Sequence, residues 1–138
     1  MTVFSVDRVM AAPRPKATTF CGHVKMYYPR KYERYREEIA EAYRAAGGEH
    51  LGDAPVSVSI DIMRHLPDGR PKRVLSEPDT VKPDADNVAK AVLDALNGVA
   101  YKDDAQVVSL CVLKCDRVRG AQDRMRVSVE PWNEGEDE

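Results

Sequence analysis

The sequence predicts an α/β fold of the two-layer α+β kind: one mixed four-stranded sheet with two helices on it, in the order β-α-β-α-β-β. Three observations carry this. Two stretches place apolar residues at helical spacing and end in glycine. Short stretches before, between and after them follow strand patterns. No repeat or linker breaks the 138 residues, a length that suits one domain, residues 1–138.

Thr2 to Val9 alternates weakly, with Phe4 and Val6 against Ser5 and Asp7, and reads as the first strand. Ala11 to Pro29 holds three prolines and several small residues, and predicts an irregular arm. A helix follows from about Lys31 to Ala46. Tyr32, Tyr35, Ile39, Ala42, Tyr43 and Ala46 form its stripe, and Gly47-Gly48 stops it. Val56, Val58, Ile60 and Ile62 alternate with Ser57, Ser59 and Asp61, the clearest strand in the chain. Arg64 to Pro83 is a long basic loop with four prolines, a length usual for a functional segment.

The second helix runs from about Asp86 to Asn97, closed by Gly98. Val88, Ala91, Val92, Ala95 and Leu96 form its apolar face; Asp86, Lys90, Asp94 and Asn97 lie opposite. Gln106 to Arg117 is apolar on both faces, which predicts a central strand. Arg124 to Glu130 alternates Met125, Val127 and Val129 with polar residues and reads as a strand hairpinned to it. Beyond about residue 133 the acidic tail is expected to be disordered.

Composition narrows the function classes. No apolar run is long enough for a membrane-spanning helix. The first ten residues carry Asp7 and Arg8 and lack the apolar core of a secretory signal. Three cysteines, an odd number, suit reduced thiols in a cytoplasmic protein better than a disulfide framework.

Net charge is −2, but it is segregated. Glu130 to Glu138 holds five acids and no base, leaving 21 bases against 18 acids in the body. Arg8 to Arg36 carries eight bases and one acid, Glu33. Arg64, Arg70, Lys72 and Arg73 form a second basic group. Acids gather at Asp84, Asp86, Asp94, Asp103 and Asp104. Bases suit phosphates, and clustered carboxylates call for a cation. On charge alone, a solvated surface with chance clustering is the better account.

The sharpest stretch is Lys82-Pro83-Asp84-Ala85-Asp86-Asn87, then Lys90, Asp94 and Tyr101-Lys102-Asp103-Asp104-Ala105-Gln106. Asp84 and Asp86 stand at a loop-to-helix junction, and Asp103-Asp104 at the start of the next strand. If that strand runs beside the helix start, three or four carboxylates converge. Such a cluster raises its own pKa values or binds a divalent cation. Hard oxygen ligands select Mg²⁺ or Mn²⁺, which suits phosphodiester hydrolysis. Lys90, one turn after Asp86, would contact the phosphate. Each residue also has an ordinary role: Asp84 or Asp86 as a helix cap, Lys90 as the ion-pair partner of Asp86, Asp103-Asp104 as a turn.

The string KPDADNVAKAVLDALNGVAYKDDAQV closely resembles the RusA-like endodeoxyribonucleases, the phage-type Holliday junction resolvases. Their pattern is D-x-D-N-x-x-K-x-x-x-D-A-L followed by D-D-x-Q-V, and every letter is met. Pro13-Arg14-Pro15-Lys16 is similar to the family's basic arm, although Ala17-Thr18-Thr19-Phe20 then departs from it. The resemblance implies a small homodimer that binds four-way junctions and other branched DNA, with no membrane partner. It implies symmetric paired cuts in recombination and repair, dependent on Mg²⁺ or Mn²⁺. Asp84, Asp86 and Asp104 match the family's essential carboxylates, and Lys90 its catalytic lysine. Asp103 matches the pattern too, and we expect Asn87 to hydrogen-bond a ligand carboxylate and Asp94 either to keep that helix face polar or to stand behind the ligands. Arg14, Lys16, Lys25, Arg70, Lys72 and Arg73 are the expected DNA contacts.

Other residues weigh less. His23, His50 and His65 lack ligand spacing. Cys111 and Cys115 read as buried thiols on one strand face. Tyr32 and Tyr35 read as core, Tyr27 and Tyr28 as open to base stacking, and Trp132 as docked on the body or a partner. Two rivals remain: a junction-binding protein without turnover, and a Mg²⁺-dependent phosphohydrolase acting on nucleotides.

Overall fold

The architecture is a four-stranded mixed sheet with both helices on one face, seen in a computed structural model that describes residues 1–133. The elements are β1 (Thr2–Val6), β2 (Lys16–Phe20), β3 (His23–Tyr27), α1 (Arg30–Ala45), β4 (Val56–Met63), β5 (Ser76–Glu77), α2 (Ala85–Leu96), a 3₁₀ turn (Asp104–Gln106), β6 (Val107–Lys114), β7 (Arg117–Val118) and β8 (Arg124–Pro131). The acidic tail predicted to be disordered falls at residues 134–138, outside the described residues. No described helix is long and apolar enough to cross a membrane.

The main sheet runs β1-β8-β4-β6. β8 is antiparallel to both β1 and β4, while β4 and β6 are parallel. Parallel neighbours need a crossover, and α2 supplies it. Alternation along β4 and β8 buries Val56, Val58, Ile60, Ile62, Met125, Val127 and Val129 on the helical side. Phe4 and Val6 join them from β1. Tyr32, Tyr35, Ile39 and Tyr43 of α1, and Val88, Val92 and Leu96 of α2, close the core. Burial of this much apolar surface is the main stabilising term.

Both helix ends follow their sequence signals. Gly47, at φ 86°, takes the left-handed conformation that ends α1, and Gly48 N–H bonds the Tyr43 carbonyl at 2.9 Å. Gly98, at φ 79°, does the same after α2, and its N–H bonds the Tyr101 carbonyl at 2.8 Å.

Four expectations need correction. β6 is an edge strand, not a central one; its Val108, Leu110 and Leu113 are exposed. β8 is not hairpinned to β6 but inserts between β1 and β4. The arm predicted as irregular holds the β2–β3 hairpin, joined through Cys21 and Gly22 at positive φ. Cys111 is exposed and Cys115 half-buried, so the thiols are not core residues. Tyr32 and Tyr35 are core as expected; the Trp132 backbone N–H bonds the Pro55 carbonyl at 2.8 Å, but its side chain is exposed rather than docked on the body.

The Arg64–Pro83 segment is tied down rather than loose. β5 pairs with β7, and Arg119 donates to the carbonyls of Arg70, Pro71 and Val74. Glu77 accepts from both Arg70 and Arg117.

Candidate active site

α2 begins at the D-x-D sequence. Asp84 is its N-cap in extended backbone, and Asp86 lies in its first turn. Asp84 makes no side-chain capping bond, so the ordinary capping role is not the one it fills. Nor do Asp86 and Lys90 pair: no ion pair joins them among the described residues, and both side chains are exposed.

Asp86, Lys90 and Asp94 recur at successive turns along one face of α2. They line a cavity of about 470 Å³ together with Asp104, Leu93, Leu110 and Val112. Of the four carboxylates expected to converge, Asp86 and Asp104 line this cavity, with Lys90 and Asp94 beside them, and Asp103 does not line it. Asp84 is exposed at the helix start and does not line this cavity. No three His, Cys, Asp or Glu side chains among the described residues stand at ready-made metal-ligand spacing.

Asp103 and Gln106 hold Asp104 in place. Asp103 accepts from the Ala105 N–H at 3.4 Å, and Gln106 Oε1 accepts the N–H groups of Lys102 and Asp103 at 2.9 and 3.0 Å. Gln106 Nε2 donates to the carbonyls of Gly52 and Ala54, tying the turn to the loop before β4. Burial pushes the Asp104 carboxyl up, and the adjoining Asp103 and Asp94 push it further; the Lys90 ammonium pulls it back. Behind the cavity the Tyr32 hydroxyl donates to Asp94 at 3.2 Å. Tyr101, buried, donates to the Leu93 carbonyl at 2.9 Å.

Asn87 does not fill its expected role. Its side chain makes no hydrogen bond to either carboxylate, while its carbonyl accepts the Ala12 N–H at 3.0 Å. Gln106, Tyr32 and Tyr101 support the site although the motif does not assign them that role. The Gln106 signal was available: a Gln three residues after an Asp is a capping box.

A family model described as Endodeoxyribonuclease RusA matches residues 8–130 of the chain. The chain belongs to the RusA endodeoxyribonuclease family. It is also similar to a protein named as the uncharacterized protein YqaN of Bacillus subtilis (strain 168), at 34% identity over 113 residues, covering 76% of this chain and 80% of that protein. The RusA match makes the chain an endodeoxyribonuclease of the Holliday junction resolvase class, whose partner is branched DNA. Metal dependence is general in that family.

The bases expected to meet DNA stand in two places on this RusA domain. Lys16 and Lys25 lie on the β2–β3 hairpin, and Arg14 just before it, all exposed. The register pairs Lys16 with Tyr27 and Thr18 with Lys25, so both lysines share one hairpin face. Lys72 and Arg73 are exposed on the 64–83 segment. Arg70 is engaged by Glu77 at 2.9 Å.

Proposed function

We propose that this chain resolves four-way DNA junctions by Mg²⁺-dependent hydrolysis, cutting two opposed strands symmetrically as a homodimer. The observation that carries the reading is the shared cavity of Asp86, Lys90 and Asp104, with Asp84 two residues before Asp86 at the start of α2. Asp84, Asp86 and Asp104 would hold Mg²⁺, with Mn²⁺ as a substitute. The donor chemistry fits: all are hard carboxylate oxygens, and Asp104 is pushed up first by burial and then by the neighbouring Asp103 and Asp94, whose charge a cation would offset. When bound, the cation supplies charge stabilisation at the phosphoryl oxygens and a more acidic water.

The chain's own groups do the rest. Lys90 has no ion-pair partner among the described residues, so its ammonium is available to phosphate oxygens as negative charge builds. Leu93, Leu110 and Val112 give the cavity an apolar wall, which strengthens that interaction by lowering the local dielectric. Asp94 is held back by Tyr32 and keeps the α2 face in place. Hydrolysis breaks the P–O3′ bond and leaves a 5′-phosphate and a 3′-hydroxyl. The hairpin lysines, Arg14, Lys72 and Arg73 grip junction arms, with Arg70 joining them from its Glu77 pair.

A four-way junction has pseudo-twofold symmetry, and each chain brings one such cavity; a twofold dimer supplies two. Incubation with a labelled junction, with and without Mg²⁺, tests the reading. Paired nicks that require Mg²⁺ support it. A gel shift without cleavage, or turnover of nucleotides alone, replaces it.

A further inference from the structure

The segment that delivers Asp84 to the site has few attachments of its own. Between β5 and α2, residues 78–83 receive two side-chain hydrogen bonds and, among the described residues, no others. Arg64 Nη1 donates to the Lys82 carbonyl at 2.6 Å. Lys114 Nζ donates to the Val81 carbonyl at 2.6 Å. Arg64 follows β4 and Lys114 ends β6, so the two cations rise from the C-terminal ends of the parallel pair, where Ile62 faces Lys114.

Asp79 sits between them. Its side chain is 0% exposed, with Oδ2 4.0 Å from Arg64 Nη1 and Oδ1 3.8 Å from Lys114 Nζ. Neither Asp79 oxygen accepts a hydrogen bond. A buried carboxylate without hydrogen bonds is costly unless charge compensates it. Here the compensation is mutual. The carboxylate lies between two largely buried cations, and each cation directs its N–H at a backbone carbonyl rather than at the carboxylate. Charge-assisted bonds of this kind are stronger than neutral ones.

We infer that Asp79, Arg64 and Lys114 form a charge-compensated clamp that positions Asp84 and Asp86 by fixing the Val81 and Lys82 carbonyls. These three are positioning residues; none lines the cavity that holds Asp86, Lys90 and Asp104. Arg64, part of a basic group that suggests DNA contact, is directed inward instead. The inference rests on the reading of Asp84 and Asp86 as cation ligands.

The test compares the full-length wild type with Lys114→Met, Lys114→Arg and Asp79→Asn. Three readings are taken: hydrogen exchange by peptide, Mn²⁺ affinity by calorimetry without DNA, and junction cleavage. In Lys114→Met, exchange over residues 79–89 should quicken about tenfold while β4 and α1 stay protected. Mn²⁺ affinity should fall about 10-fold or more, as for other groups that orient ligands. The cleavage rate should fall by about 10- to 100-fold with junction affinity unchanged, since misplacement of reacting groups acts on the rate. Lys114→Arg, which keeps charge and donor, should retain all three readings. Asp79→Asn should behave as Lys114→Met or worse. Wild-type exchange and Mn²⁺ affinity in Lys114→Met would overturn the clamp, and so would a uniform loss of protection across every element. If the wild type fails to cut junctions, the proposed function falls, while exchange and Mn²⁺ binding still decide the clamp.

Discussion

Gln106 Oε1 accepts the Asp103 N–H at 3.0 Å, and Asp103 in turn caps the 3₁₀ turn that begins at Asp104. The same Gln106 side chain reaches the carbonyls of Gly52 and Ala54. One amide thus fixes the turn that carries a candidate ligand and joins it to the loop before β4. Gln106→Ala removes four hydrogen bonds at once. Stability should fall by about 1–3 kcal/mol, the net loss of several hydrogen bonds of which two are part-buried. The single-turnover cleavage rate should fall by at least about tenfold, because Asp104 is no longer held. Urea unfolding and single-turnover kinetics on one preparation check both.

Lys90→Ala should lower turnover by about 10²–10³ with little change in stability, the usual cost of losing one positioned electrostatic group. Lys90 is exposed and has no ion pair among the described residues, so its loss leaves no carboxylate orphaned. If the substitution leaves the rate intact, Lys90 is only surface charge.

Glu77 gives a pH prediction. The Arg70 hydrogen bond above all, with that of Arg117 and both positive charges, holds the Glu77 carboxyl below its ordinary value; partial burial works against them. A carboxyl depressed on folding contributes stability that is full above its unfolded pKa, ordinarily 4.5. That contribution is lost as pH falls through the folded value. Glu77→Gln should therefore be less stable than wild type at neutral pH, and the gap should close as pH falls below the ordinary carboxylate range. Thermal unfolding between pH 3 and 7 reads it, and a gap that stays constant with pH would remove Glu77 from the account.

Gly48→Ala tests packing at the end of α1. A Cβ there would overlap the ring of Tyr43, which is itself buried and bonded to the Glu49 carbonyl. The ring cannot yield without breaking that bond, so the substitution should cost about 1–3 kcal/mol, as overpacking does. Denaturant unfolding checks the figure, and a neutral result would mean that the ring has room to move.

Much of this fold is legible in the sequence, and the reasons are local. β4 alternates because one face is buried and the other open, and both helices carry stripes because each packs one side on the sheet. Strand partnership is a different matter. Nothing within residues 107–131 tells whether β8 joins β6 or lies between β1 and β4, since that choice depends on the whole layer. β6 reads as central because both its faces are apolar, yet only α2 covers it and Leu113 is left exposed. The β2–β3 hairpin is illegible for the opposite reason: with its strands exposed, no core imposes a pattern on them. In the site, Asp86, Lys90 and Asp94 follow from helical spacing alone. The contribution of Asp104 to their cavity, and the Asp79 clamp, depend on contacts between distant segments.

Junction binding should weaken steeply with salt, since the grip rests on exposed lysines and arginines. Each neutralised phosphate contributes about −0.9 to the slope of log K against log salt, so several contacts doubled by a dimer should give at least about −5. A flat response in filter binding would remove phosphate contacts from the account.

The most direct measurement is a strand-resolved cleavage map of a four-way junction, comparing wild type with Asp104→Asn. The account predicts cuts at symmetry-related positions in two opposed strands with wild type, only when Mg²⁺ is present. It predicts that Asp104→Asn binds the junction and leaves all four strands whole. Cleavage by Asp104→Asn at the wild-type rate, or an intact junction with wild type and Mg²⁺, would contradict it.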